Sequence, residues 1–386
     1  MSTNLSNLPM FTALASAVKA KVPTLVWGPP GVAKTARIRA MGESWGYHVE
    51  VITGSLRDKS DFMGFGLIRG ADTDEPETVY SPPQWLRALN RAEKGLLVLD
   101  ELTTSGEVYK VMLSILTERV VGEHKLGDHV AIVALANPVD EAVEGEELPA
   151  AINSRLCHLA WDTDFDAWAN GVVTNFAEEE EDLSSIITYS DDEYISNRVR
   201  VASMVANFLR SNRQYANETP ATGASHEDAW ACHRSWTLAI DAMSWLDTSD
   251  SVQESALRLI LSGCVGVSAG SAYVTHLLHN DIPTAQELLA DPASFDPSQY
   301  SIDCMYAISM MLRGYLTLDP RAQKNKKVWS AAMELALMTA RETGKTDVML
   351  PLVEHLIRHR MSGVEIPADV IEHYEDIVLA LDRHAM

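Results

Sequence analysis

The sequence has few cysteines, no long apolar segment and far fewer basic than acidic residues. Four of the 386 residues are cysteines, and they are scattered without any C-x-x-C pair. This spacing indicates neither a disulfide framework nor a cysteine zinc site. No apolar run reaches the roughly 18 residues of a membrane-spanning helix, and the N-terminal segment lacks the pattern of a signal peptide. We therefore expect a cytoplasmic protein without a membrane partner.

The charge balance restricts the class of partner. The chain has 54 Asp and Glu against 31 Lys and Arg, which gives a formal net charge of -23. Proteins that bind nucleic acid through its phosphates rely on an excess of positive charge, so a nucleic-acid motor is disfavoured, although a local basic groove is compatible with this composition. The length of 386 residues allows two or three domains with separate cores.

The stretch from Thr24 to Thr35, TLVWGPPGVAKT, contains an apolar run, a Gly- and Pro-rich turn and then Lys-Thr at the start of a helix-compatible segment. This order is typical of a phosphate-binding loop, because a buried strand fixes the loop and the following helix directs its N-terminus at the phosphates. Lys34 would reach the β and γ phosphates of ATP, and Thr35 would place its hydroxyl on Mg²⁺. The predicted nucleotide-binding residues are Gly28, Pro29, Pro30, Gly31, Val32, Ala33, Lys34, Thr35 and Ala36.

Ala33 stands where this loop pattern usually has its second glycine. Because L-residues avoid left-handed backbone, we expect Ala33 in a conformation such as the first helical turn. The loop alone is only suggestive, and its weight depends on acidic, polar and basic partners at the ends of further strands.

An aliphatic strand with two carboxylates at its end is predicted at Gly95 to Glu101, GLLVLDE. Ligands of open α/β sheets lie at the carboxyl ends of strands, so Asp100 and Glu101 are expected near the phosphates. Asp100 suits Mg²⁺ coordination from the second shell, and Glu101 suits the base that polarises the attacking water. The alternative is a solvated acidic pair that ends the strand, which becomes less favoured after a phosphate-binding loop.

Two further polar residues follow later elements. Asn137 ends the apolar strand predicted at Val130 to Ala136, where its amide can hold the γ-phosphate and the attacking water. Alone, Asn-Pro is more often the start of a turn. Arg155 ends a short predicted helix and is either a surface cation or an arginine finger that reaches the nucleotide of an adjacent subunit.

The remaining pattern indicates two hairpins and a helical second half. Hairpins are predicted around GLIR and TVYS, between positions 53 and 85, and at VVGEHKLGDH. The acidic run EEEED within residues 164–192 indicates a solvated linker. Apolar residues then recur at helical spacing up to the C-terminus.

Several segments together resemble the MoxR-type branch of AAA+ ATPases. These segments are GPPGVAKT, SDFMGFG, SPPQWL, GLLVLDEL, ALANPVDEAVEGEELP and INSRLCHLAW. An alanine before the loop lysine is a familiar variant in that family. AWACHRSWTLA resembles the segment that carries the second-sensor arginine, here Arg234, although Cys232 and His233 replace the usual prolines. The alternative for Arg234 is an ordinary helix arginine packed between Trp230 and Trp236.

The resemblance implies a ring of subunits, commonly six, with Arg155 as the finger and with the two hairpins projecting from the ring face or pore. It also implies a protein partner that bears a von Willebrand factor A domain. The expected fold is α/β, a P-loop AAA+ core with a central parallel sheet flanked by helices, followed by an all-α lid and a helical C-terminal extension.

The predicted divisions are a core at 1–163, a linker at 164–192, a lid at 193–292 and the extension at 293–386. The function implied is ATP hydrolysis that drives the remodelling or activation of a protein partner. A nucleotide-gated scaffold with slow turnover is the main alternative, because the motifs do not set a rate.

Overall fold

The computed structural model describes residues 8–69, 75, 77–103, 106–138, 148–161, 165–174, 189–218, 229–247, 249–361, 364 and 366–374. The chain divides into two compact units, one formed by residues 1–188 and 217–271 and the other by residues 189–216 and 272–386. None of the described helices is both long and apolar enough to cross a membrane.

The strands of the first unit form one parallel sheet and two hairpins. They are β1 (Thr24–Trp27), β2 (His48–Thr53), β3 (Phe65–Arg69), β4 (Glu77–Ser81), β5 (Gly95–Asp100), β6 (Val120–Val121), β7 (His124–Lys125), β8 (Val130–Ala136) and β9 (Cys157–Ala160). The parallel sheet has the order β2-β5-β8-β1-β9. All of β1 and β8 is buried, and β5 is buried up to Asp100, because helices cover both faces of such a sheet. The central parallel sheet is therefore as predicted.

Both predicted hairpins are present outside this sheet. β3 pairs with β4, and β6 pairs with β7, each in antiparallel register. In the first hairpin Phe65 is 74% exposed and Ile68 is 68% exposed. These side chains therefore contribute little to the core of the unit.

Helices make up most of the rest of the described chain. They are α1 (Leu8–Lys19), α2 (Lys34–Ser44), α3 (Lys59–Met63), α4 (Gln84–Arg91), α5 (Glu107–Glu118), α6 (Ala150–Asn153), α7 (Phe165–Thr174), α8 (Asp191–Ser211), α9 (His233–Met243), α10 (Ser251–Val265), α11 (Val267–Leu277), α12 (Ala285–Ala290), α13 (Ile302–Leu318), α14 (Pro320–Gln323), α15 (Lys326–Thr343), α16 (Leu350–Arg358) and α17 (Ala368–His373).

The two units have separate helical packing. In the first, α1 packs against α9 and α10, and α10 also contacts β9. In the second, α8 packs along α13, while α15 contacts α12, α16 and α17. The Arg200 side chain, in α8, donates from Nε to the Ile282 carbonyl oxygen at 2.7 Å and also pairs with Asp281. The helical C-terminal part is thus as predicted.

The segment predicted as a solvated linker, residues 164–192, begins with a helix, α7. The exposed side chains of Phe165, Trp168, Val172 and Val173 follow helical spacing along it. The acidic run of the predicted linker lies outside the described residues. Helices expected in the lid fall in both units, α9 and α10 in the first and α8 and α12 in the second. The predicted domain boundaries stay a prediction.

Candidate active site

Lys34 is the first residue of α2, directly after the loop that leaves β1. Its Nζ donates to the carbonyl oxygens of Gly28 at 2.6 Å and Pro29 at 2.8 Å, and to Asn137 Oδ1 at 3.0 Å. The residue is 8% exposed. An ammonium group has three N–H donors, so these three oxygens satisfy it in a buried position. The structure therefore brings Asn137, from the end of β8, onto the lysine of the loop.

Thr35 and Asp100 meet at the end of the sheet. Thr35 Oγ1 donates to Asp100 Oδ2 at 2.8 Å, and the other carboxylate oxygen of Asp100 accepts from the Glu101 backbone N–H at 3.0 Å. Glu101 is exposed and has a φ of 54°, so strand β5 ends there. The next residue rejoins the sheet, because the Leu102 N–H donates to the Leu135 carbonyl oxygen at 2.9 Å. The Glu101 side chain is thereby presented to solvent beside the hydroxyl–carboxylate pair.

Gly28 is required by the packing at the start of the loop. A Cβ built on Gly28 would lie 2.9 Å from Trp161 Cβ and 3.3 Å from Lys34 Cδ. Any larger residue would push the loop away from β9 or displace the lysine stem. By contrast, a Cβ at Gly31 would meet nothing within 4 Å, so this part of the loop faces open space. The open side leaves room for a ligand above the loop.

The two predicted arginines lie close in the fold although they are far apart in sequence. Arg155 follows α6, and its guanidinium donates to the Ala151 carbonyl oxygen at 3.0 Å. Arg234, in the first turn of α9, donates from its guanidinium to Ser154 Oγ at 3.4 Å. The second-sensor candidate therefore contacts the residue that directly precedes the finger candidate.

Cys232 and His233 stand where the similar family segment usually has prolines, and helix α9 still has a defined first turn. Cys232 is the N-cap of α9: its Sγ accepts from the Ser235 N–H at 3.5 Å, and its own N–H donates to Ser235 Oγ at 2.9 Å. This reciprocal capping box fixes the first turn, and hence the backbone of Arg234.

The comparison with known proteins gives a family match to part of the first unit. Residues 23–156 match the family model described as the AAA domain of the dynein-related subfamily. This segment runs from β1 to the residue before β9 and contains Lys34, Asp100, Glu101, Asn137 and Arg155. The match and the sheet order agree. The core has the AAA+ fold.

Similar solved structures are distant from this chain. A "putative ATPase" from Cytophaga hutchinsonii has 16% identity and a TM-score of 0.42, covering 72% of this chain and 90% of that one. NtrX from Brucella abortus has 14% identity and a TM-score of 0.24, covering 92% of this chain and 69% of that one. Both scores are too low to support a functional comparison. No curated protein sequence matches the chain significantly.

The loop of the AAA+ core contains one backbone conformation that the sequence did not predict. Ala33 has φ 59° and ψ 25°, in the left-handed region, and serves as the N-cap of α2. The expected first-turn conformation is therefore wrong. Helix α2 begins one residue later, and Ala33 occupies the kind of position that glycine adopts without strain.

Replacing Ala33 with glycine is expected to stabilise the ligand-free protein by about 1 kcal/mol. The change relieves left-handed strain of about 1–2 kcal/mol, and the greater backbone entropy of the unfolded chain offsets part of this gain. Ala36 is the matched control, since it is exposed and helical two residues into α2. Ala36→Gly should destabilise the protein by about 1 kcal/mol. Urea unfolding of the three proteins measures both changes, and two changes of the same sign would contradict the strain at Ala33.

The oxygen-rich end of the sheet fits Mg²⁺ and a nucleotide phosphate. Hydroxyl and carboxylate oxygens, here from Thr35 and Asp100, are ligands that Mg²⁺ prefers, and it usually keeps waters and phosphate oxygens as the rest. Among the described residues, no three His, Cys, Asp or Glu side chains group into a metal site. A metal here would therefore depend on phosphate oxygens and waters for most of its ligands.

Sequence reasoning missed Ser154, which contacts Arg234 from a position 80 residues away. It is 6% exposed and would read as an ordinary buried serine. Its place beside Arg155 in the motif INSR was the available signal.

Proposed function

We propose that this protein is an ATP hydrolase whose turnover drives the remodelling or activation of a protein partner. The observation that carries the proposal is the meeting of Lys34 with Asn137, and of Thr35 with Asp100, at the ends of neighbouring strands in an AAA+ core. These four side chains supply a cation, an amide, a hydroxyl and a carboxylate, the set that a nucleoside triphosphate with Mg²⁺ requires.

Each residue has a separate role in this proposal. Lys34 leaves its loop carbonyls to bind the β and γ phosphates, and Asn137, released from the lysine, holds the γ-phosphate and the attacking water. Thr35 would bind Mg²⁺ through its hydroxyl, Asp100 would support that site from behind the direct ligands, and the ion would neutralise charge on the phosphate oxygens. Glu101 accepts a hydrogen bond from the water and polarises it for in-line attack on the γ-phosphorus, with ADP as the leaving group.

The two arginines connect hydrolysis to assembly and motion. Arg155 is proposed to act on the nucleotide of an adjacent subunit in a homo-oligomeric ring, commonly of six subunits in the family it resembles. Arg234 is proposed to sense the γ-phosphate of its own subunit, so that ATP and ADP favour different positions of α9. A partner with a von Willebrand factor A domain is carried over from the same resemblance.

The first test is ATP binding and phosphate release by the purified protein with Mg²⁺. Lys34→Ala is expected to weaken ATP binding by about tenfold or more and to abolish turnover, because a charge-assisted contact with two phosphates is lost. Lys94→Ala, an exposed lysine before β5, is the matched control and should leave both unchanged. Absence of phosphate release from the unaltered protein, or equal behaviour of Lys34→Ala and Lys94→Ala, would contradict the proposed function.

A further inference from the structure

His158, in β9, joins the strand that leads into the phosphate loop to the turn that precedes Arg155. Trp27 Nε1 donates to His158 Nδ1 at 3.1 Å, and His158 Nε2 lies 3.1 Å from the Asn153 carbonyl oxygen. Trp27 is the last residue of β1, directly before Gly28. Asn153 is the last residue of α6, two positions before Arg155. One imidazole therefore bridges two segments of the proposed ATPase site.

The two partners determine the protonation of the ring. The indole N–H can only donate, so Nδ1 must accept, and a carbonyl oxygen can only accept, so Nε2 must donate. Neutral His158 with its proton on Nε2 is the form that satisfies both contacts. His158 is 8% exposed and Asn153 is 1% exposed, so water has little access to replace these bonds. Loss of the imidazole would leave the buried indole N–H without this acceptor.

The backbone around His158 leaves the ring little freedom. Its ring plane lies 13° from that of Trp27, with the centroids 6.3 Å apart. His158 lies opposite Leu25 in the parallel pairing of β1 with β9. Helix α10 approaches so closely that a Cβ on Gly263 would lie 2.0 Å from the His158 carbonyl oxygen. The position of the imidazole therefore follows that of β1.

The turn at residues 153–155 receives a different contact at each position. The Asn153 carbonyl oxygen faces His158, Ser154 Oγ accepts from Arg234, and the Arg155 guanidinium donates back to the Ala151 carbonyl oxygen in α6. Asn153 and Ser154 are buried, whereas the Arg155 contact is exposed. A displacement of the phosphate-loop strand would thus pass through His158 into the segment that presents Arg155.

We propose that His158 is a positioning residue that holds the Arg155 turn against the phosphate-loop strand of its own subunit, so that one site controls the arginine offered to the next site. This inference rests on the proposed function, in which Arg155 acts on a neighbour's nucleotide. His158 touches no substrate in this scheme. His158 acts by placing Arg155, and it would thereby couple the ATP sites of neighbouring subunits.

The test separates the subunit that gives the arginine from the subunit that receives it. An acceptor protein carries Arg155→Ala and keeps its own site, whereas a donor protein carries Glu101→Gln and keeps Arg155. Mixing the two should restore ATP turnover only at interfaces where a donor serves an acceptor. Donors that also carry His158→Leu should restore about tenfold less turnover, because a misplaced catalytic group lowers the rate steeply.

Two further donors keep the test sharp. His158→Gln retains a hydrogen-bond acceptor and a hydrogen-bond donor at a spacing close to that of the ring nitrogens. Donor proteins with this change should therefore restore turnover to within about twofold. Trp27→Phe keeps an aromatic ring but removes the indole N–H together with part of the buried ring system, and donor proteins with this change should show at least the loss seen with His158→Leu. If His158→Leu fails to fold, the Trp27→Phe donor still tests the link to the strand.

The same substitution in the acceptor protein distinguishes a misplaced Arg155 turn from a general loss of structure. His158→Leu placed in the Arg155→Ala acceptor should lower restored turnover clearly less than in the donor, since that subunit offers no arginine and only its Ser154–Arg234 contact shares the turn. Equal losses on both sides, or full restoration by His158→Leu and Trp27→Phe donors, would overturn the role of His158. If the unmodified donor restores nothing although the unaltered protein hydrolyses ATP, the action of Arg155 in trans is wrong and this inference fails with it, whereas the ATP hydrolysis of the proposed function stands.

Discussion

Replacing Glu101 with glutamine is expected to lower ATP turnover by about 10²–10⁴-fold while ATP affinity stays within about twofold of the unaltered protein. The amide has the size of the carboxylate but cannot polarise the attacking water. Lys34 donates to Gly28, Pro29 and Asn137, and Thr35 donates to Asp100, so these groups remain to bind the nucleotide when Glu101 is changed. Because Glu101 is exposed, the change should alter stability by no more than about 0.5 kcal/mol.

Single-turnover phosphate release and equilibrium ATP binding measure these two quantities separately. Glu118→Gln is the matched control, because it makes the same chemical change at an exposed glutamate at the end of α5. It should have no effect on either quantity. A loss of ATP binding in Glu101→Gln as large as that in Lys34→Ala would contradict the division of roles between the carboxylate and the lysine.

Replacing Arg155 with alanine is expected to lower turnover by about 10³-fold or more, which is the effect of an arginine that stabilises the charge of phosphoryl transfer. Arg155→Lys should recover only part of the rate, since an ammonium lacks the planar fork of the guanidinium. Arg91→Ala removes an exposed arginine at the end of a different helix, α4, and should leave the rate unchanged.

The trans action of Arg155 also predicts how turnover depends on protein concentration. Turnover per subunit should rise as the unaltered protein assembles, because a monomer has no neighbour to supply the guanidinium. Phosphate release measured over a dilution series, with the assembly state followed by light scattering, tests this. A rate per subunit that is constant on dilution and is unaffected by Arg155→Ala would count against the finger.

The elements that position the site were largely predictable, because their signals are local. β5 and β8 are uninterrupted aliphatic runs, and such runs read as strands covered on both faces. Asp100 and Asn137 could be placed near Lys34 from the rule that parallel strands end at the same edge. The structure places Asn137 in contact with Lys34, and Asp100 in contact with Thr35. Their catalytic roles stay predictions.

What the sequence did not predict depends on contacts between distant segments. The left-handed conformation of Ala33 follows from how the loop is held between β1 and α2, and no local preference of alanine favours it. The contact between Arg234 and Ser154 joins positions 80 residues apart. Helix α7 differs from the predicted linker for another reason: its helical spacing at Phe165, Trp168 and Val172 is short, and residues 164–192 as a whole contain few periodic apolar residues and an acidic run.

The order of the strands also determines when the site can form during synthesis. Thr24, in β1, pairs with Val133 in β8 and with Cys157 in β9, so both neighbours of β1 are made long after it. A nascent chain that ends before β8 exposes β1 without a partner on either side and lacks Asn137 for Lys34. Such non-local pairing is slow and leaves apolar strands unprotected meanwhile. The phosphate loop is thus translated before β8, β9 and Asn137, the elements that make it able to hold a nucleotide.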